Sequence, residues 1–174
     1  MKHLRAQRHV KLTGKLPEKL YLPVLAFAAE IILSRGSFPE WFVFPIEYGL
    51  LFWFVLSNIK RRGAWPHWIG AGTLLNITVI SINGFRMPVW PSFFAGSGDA
   101  ELLNSLQNGD IFGYTLVDAS TRLPFLADVI GFSFYGDLIG FASLGDLVLL
   151  AGAGILLYRT IRDNCKRCQT PNTN

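Results

Sequence analysis

The sequence predicts an all-α membrane protein. It reads as four transmembrane helices with both termini cytoplasmic, and a long extracytoplasmic segment between helices 3 and 4 that holds a short interfacial or re-entrant helix. Three observations predict this. The chain is 51% hydrophobic and only 16% charged, with a mean hydropathy of +0.34, too apolar for an ordinary soluble domain. Its apolar residues gather in four long runs. Of the 16 Lys and Arg, 13 fall in segments that a four-span arrangement places inside, as the positive-inside rule requires.

At 174 residues the chain is long enough for one compact unit. Residues 1–15 form a basic arm with Lys2, Arg5, Arg8, Lys11 and Lys15. In front of an apolar run, such an arm reads as a cytoplasmic anchor rather than a nucleic-acid contact, so no nucleic-acid partner is expected. No small-residue cleavage site follows it, so no cleavable signal is expected.

The first span is placed at 16–34. Leu16 extends the run and Lys19 snorkels beside it. Ser34 to Glu40, with Gly36 and Pro39, is a short loop. The second span is 41–59, bounded by Trp41 and by the basic turn Lys60-Arg61-Arg62. The third is 65–83, opened by an interfacial belt of Trp65, His67 and Trp68 and ended by Asn83.

Beyond it, Gly84, Pro88 and Pro91 break any helix. Asp99 to Leu106 predicts a short amphipathic helix with Leu102, Leu103 and Leu106 on one face. Asn108-Gly109-Asp110 is a turn. Thr121 to Phe134 is apolar, broken by Pro124 and too short to span, so it is placed as an interfacial or re-entrant element. The last span is 138–158. Its glycines Gly140, Gly145, Gly152 and Gly154 would let neighbouring helices approach closely. Residues 159–174 form a basic cytoplasmic tail. No internal repeat is apparent.

Carboxylates inside apolar segments are costly and usually functional. At about 1.5 Å of rise per residue, Glu47 lies roughly 9 Å and Asp146 roughly 12 Å below the outer ends of their helices. Glu30 lies near the outer end of the first span, and Asp128 leads into the last. The acids therefore share the outer half of the bilayer, around a common polar cavity. Asp128 and Asp146 are the candidate catalytic pair: two carboxyls brought together share a proton, one serving as general base and the other as general acid. Glu30, Glu47, Asn83, Arg86, Arg122 and Asp137 are expected to line the pocket. A plainer reading has each aspartate capping a helix or pairing with Arg86 or Arg122.

No cofactor and no metal are expected. The three histidines, His3, His9 and His67, fall on the cytoplasmic side, and the tail pair Cys165 and Cys168 lacks the further ligands a zinc site needs. A hard-cation or proton pathway through Glu30 and Glu47 stays open.

Two resemblances follow from particular segments. NGFRMPV, TRLPFLAD and SLGDLVLLAG together resemble a family of small bacterial integral membrane proteins of unknown function. That implies the inner membrane and no particular activity. The C-terminal third is similar to signal peptidase II, the membrane aspartic peptidase that cleaves lipoprotein signal peptides. That family has four spans, both termini inside, and two catalytic aspartates near the outer face. Ser143-Leu144-Gly145-Asp146 stands in place of its Asn-x-Ala-Asp motif, and the spacing from Asp128 to Asp146 is like that of its pair. Val129 replaces the arginine that follows its first aspartate, and Ser143 replaces its motif asparagine. The resemblance implies an aspartic hydrolase acting on a peptide or lipid-linked substrate. The alternative is a non-catalytic accessory subunit bound to a larger membrane protein, or a small proton-coupled transporter. The lipid bilayer is a partner in either case.

Overall fold

The structure is a computed structural model. It describes residues 16–61, 63–94, 100–134 and 137–169, with the backbone alone at 133–134, 137–139 and 164–169. The arm at 1–15, Arg62 and the side chains of Cys165 and Cys168 lie outside the described residues, as does the side chain of Asp137.

The described residues are mostly helical, with five helices among them: α1 (Tyr21–Arg35), α2 (Glu40–Asn58), α3 (Trp65–Ile82), α4 (Ala100–Asn108) and α5 (Leu144–Gln169). It is not all-α. Between α3 and α5 lie four strands, β1 (Met87–Val89), β2 (Tyr114–Leu116), β3 (Asp128–Phe134) and β4 (Asp137–Ser143). They form one sheet in the order β2-β1-β3-β4. β1 runs parallel to both β2 and β3, and β3 runs antiparallel to β4.

The start of α1 differs from the predicted span. Pro17 and Lys19, the latter at φ +54°, delay the helix to Tyr21. Residues 16–18 instead fold back onto the end of α2. The buried Asn58 side chain accepts from the Glu18 N–H at 2.8 Å and donates to the Glu18 carbonyl at 2.9 Å. Arg61 donates to the Leu16 carbonyl at 2.9 Å and pairs with Glu18 at 3.1 Å. α1 is thus 15 residues long, about 22 Å at 1.5 Å per residue.

The predicted fourth span also shifts. Residues 138–143 belong to β4, and the helix begins at Leu144 and runs on through residues assigned to the tail. Nor is 121–134 a re-entrant helix. It is one 3-10 turn, Pro124–Leu126, followed by β3. Isoleucine and phenylalanine recur in both DVIGFSF and DLIGFAS, with a valine in the first, and such residues suit a pleated surface. The two strands pair with Gly131 opposite Phe141 and Phe132 opposite Gly140, so each phenylalanine stands across from a glycine. The amphipathic helix is present as α4, and its Leu102, Leu103 and Leu106 pack with Val89, Phe94 and Phe141 into a small core of their own.

Among the helices, α3 and α5 are in closest contact. A Cβ at Gly72 would stand 2.6 Å from the Gly145 carbonyl, and one at Gly152 would stand 2.7 Å from the Ile69 nitrogen. Gly145 and Gly152 therefore serve close approach as expected, whereas Gly140 and Gly154 have nothing within 4 Å. Phe44, Tyr48, Leu51, Val79 and Ile80 fill the core between α2 and α3.

Two helices, α2 and the Leu144–Asp163 part of α5, are long and apolar enough to cross a membrane. Large apolar side chains also remain exposed on all four long helices: Val24 and Ile32 on α1, Trp41 and Leu56 on α2, Leu74 on α3, Leu150 and Leu157 on α5.

Candidate functional site: a cavity of carboxyl groups

The sheet decides where the acids meet. β3 places Asp128 between two neighbours, with Val89 of β1 on one side and Ser143 of β4 on the other. Ser143 is the residue that caps α5, so this register sets Asp128 beside the helix start that carries Asp146.

Ser143 and Asp146 form a capping box. The Asp146 N–H donates to Ser143 Oγ at 3.0 Å, and the Ser143 N–H donates to Asp146 Oδ2 at 2.9 Å. Asp146 Oδ1 accepts from Asn76 Nδ2 of α3 at 2.7 Å, and Ser143 Oγ lies 3.0 Å from Asn76 Oδ1. Gly145 is required here because a side chain in its place would strike the Asn76 amide. Both oxygens of Asp146 are engaged, and the carboxylate also sits in the first turn of α5, where the helix dipole favours negative charge. Of the plain readings, capping is the one that describes Asp146.

Asp128 is different. It is 3% exposed, and among the described residues its Oδ1 has no hydrogen-bond partner. Burial, and then the nearby Asp146 carboxylate, push its carboxyl up to about 7. Neither arginine neutralises it. Arg86 pairs with Glu40 at 2.9 Å. The Arg122 backbone is held by Asn83, which accepts from its N–H and donates to its carbonyl, each at 2.9 Å.

Asp128 and Asp146 open onto a cavity of about 190 Å³, and Glu30 of α1 and Glu47 of α2 line the same space. Glu47 is 6% exposed and its Oε2 also lacks a partner. Four of the sequence-predicted site residues therefore converge. Asn83 and Arg122 do not join them and line a separate surface depression with Asp118. Arg86, tied to Glu40, is not in the cavity lining either.

Sequence reasoning passed over the rest of the wall. Phe44, Tyr48, Phe112, Tyr114 and Phe141 contribute aromatic faces or edges, and Asn76 bridges to Asp146. Asn76 carried a signal, since it is an amide inside an apolar helix. The aromatics carried none, because in an apolar chain they read as core. Among the described residues, no Lys, Arg or His lines the cavity. No three His, Cys, Asp or Glu side chains there come together as a metal-holding group.

Fold and site define a mostly helical protein built around a shared acidic cavity, with two helices among the described residues long and apolar enough to cross a membrane. Residues 11–158 match a family of unknown function, DUF5317, and the chain belongs to that family. No curated protein and no solved structure matches it, so the likeness to signal peptidase II stands on the quoted residues alone.

Proposed function

We propose that the chain is a bacterial inner-membrane protein of four spans, with both termini cytoplasmic, whose cavity exchanges protons for a small cation. One observation carries the reading. Among the described residues, Glu30, Glu47, Asp128 and Asp146 face one space with no basic side chain in its lining, a charge imbalance that protons or a cation would offset. The distribution of Lys and Arg and the apolar outer faces of α1, α2, α3 and α5 support membrane insertion through all four.

A second reading, an aspartic hydrolase on a peptide or lipid-linked substrate, is favoured by Asp128 standing beside the capped Asp146 with a carboxyl that titrates near neutrality. It ranks second because Asn76 and Ser143 occupy both oxygens of Asp146. In a dyad that shares a proton, one of those oxygens would face its partner.

Reconstitution into vesicles enclosing a pH-sensitive dye separates the two. Under exchange, an inward gradient of a transported cation drives protons out, and Asp128→Asn and Glu47→Gln abolish the signal. No cation-driven pH change for any of Na⁺, K⁺ or small amines would refute exchange. Cleavage of a lipopeptide that is lost in both Asp128→Asn and Asp146→Asn would establish the hydrolase instead.

A further inference from the structure

Two features of the cavity constrain what fills it. The first is a pair of orphaned acceptors. Glu47 Oε2 and Asp128 Oδ1 belong to side chains 6% and 3% exposed, both line the cavity, and neither atom has a hydrogen-bond partner among the described residues. A buried acceptor left unpaired is costly, and more so where it is charged. The ligand that removes that cost brings N–H or O–H donors. The second feature is the aromatic wall of Phe44, Tyr48, Phe112, Tyr114 and Phe141. Aromatic faces attract ammonium and guanidinium groups and cover hydrocarbon, whereas a hard metal ion asks for a shell of oxygens.

We infer that the cavity binds a small primary ammonium ion, a protonated aliphatic amine whose N–H groups donate to Glu47 Oε2 and Asp128 Oδ1 while its hydrocarbon lies against the aromatic wall. Size suits the class as well. The cavity of about 190 Å³ has room for about six waters at ~30 Å³ each, enough for an ammonium group and a short hydrocarbon chain. A quaternary ammonium has the charge but no donors and leaves both oxygens unpaired. This inference deepens the cation reading of the same cavity by naming the chemical class.

Binding also has a proton balance. The groups facing Asp128 across the cavity are Glu30 from α1, Glu47 and Tyr48 from α2, Asn76 from α3, Tyr114 from β2 and Asp146 from α5. None of them is a cation. With its carboxyl pushed up to about 7, Asp128 is mostly protonated at pH 6. The arriving ammonium keeps its own protons, the Asp128 O–H bond breaks, and that proton leaves to solvent. One positive charge enters and one departs.

The test is calorimetric titration of the purified full-length protein in detergent with n-butylammonium, tetramethylammonium, n-butanol and Na⁺. The expected result is saturable binding of n-butylammonium, with tetramethylammonium at least tenfold weaker and no binding of n-butanol. At pH 6, close to one proton is released per amine bound, measured from the buffer dependence of the heat. Asp128→Asn and Glu47→Gln each weaken binding at least tenfold, in samples that elute and melt as folded protein. Equal affinity for tetramethylammonium, displacement by millimolar Na⁺, or unaltered binding in both variants would overturn the inference. Amine binding without vesicle exchange would uphold it while removing transport. Exchange of Na⁺ or K⁺ with no amine binding would do the reverse.

Discussion

Both oxygens of Asp146 are held by Asn76 and Ser143, while Asp128 Oδ1 has no hydrogen-bond partner among the described residues. That contrast has a consequence for stability. A carboxyl whose value is raised on folding, here from 3.8 to about 7, binds its proton more tightly in the folded state than in the unfolded one. Between those two values the native state carries more protons, so stability falls as pH rises. The contribution is complete below pH 4 and gone above pH 7. About three pH units of difference amount to something on the order of 4 kcal/mol. Asp128→Asn removes the titration. The wild-type melting temperature in detergent is therefore expected to drop between pH 5 and pH 8, and the variant's profile to be flatter over that window. The variant is also expected to melt higher than wild type at pH 8. A variant that keeps the full pH-dependent drop would show that another group is responsible.

At the scale of elements, the contact of α3 with α5 depends on glycines that differ sharply in surroundings. Gly72→Ala and Gly152→Ala each force a methyl into backbone already within 2.7 Å and are expected to lower the melting temperature by several degrees, as overpacking of about 1–3 kcal/mol would. Gly154→Ala adds its methyl to open space on the exposed side of α5 and is expected not to lower it. Equal losses at all three positions would mean that helix contact is not what these glycines serve. Gly145 and Gly152 were legible in the sequence because small residues in an apolar helix point to close packing. Gly72, equally crowded, sits in a helix that was read for its aromatics. The helices were legible from their apolar runs, and α4 from its three leucines. The sheet was missed for a physical reason. DVIGFSF and DLIGFAS are apolar enough to read as the approach to a span, and period alone does not separate a short buried strand from a helix. The clue was their shared Asp-x-Ile-Gly-Phe, twice within fourteen residues, the pattern of two alike strands in a hairpin. The same oversight hid the capping box, since Ser143-x-x-Asp146 announces a helix start only if the residues before it are not helical.

For the whole molecule, the question is on which side of a bilayer the sheet and the cavity lie. Under the proposed four-span arrangement with the basic segments inside, the loop from Ser34 to Glu40 and the region between α3 and α5 would face outward, and the carboxyl cavity would open to that side. The chain supplies its own reporters, because its only two cysteines, Cys165 and Cys168, lie in the last ten residues. In intact cells a membrane-impermeant maleimide is expected to leave them unmodified and to label them once the membrane is permeabilised. In a background with both replaced by serine, a cysteine at Ser120, in the exposed turn held by Asp118, is expected to label without permeabilisation, and one at Lys60, on the basic turn, only after it. Labelling of Ser120→Cys and Lys60→Cys from the same side would leave α3 not crossing, with the sheet and the basic turn sharing a compartment. The four-span arrangement would then fail, and with it the outward-facing cavity that the exchange reading needs, while α2 and α5, the two described helices long and apolar enough to cross, would be the spans left.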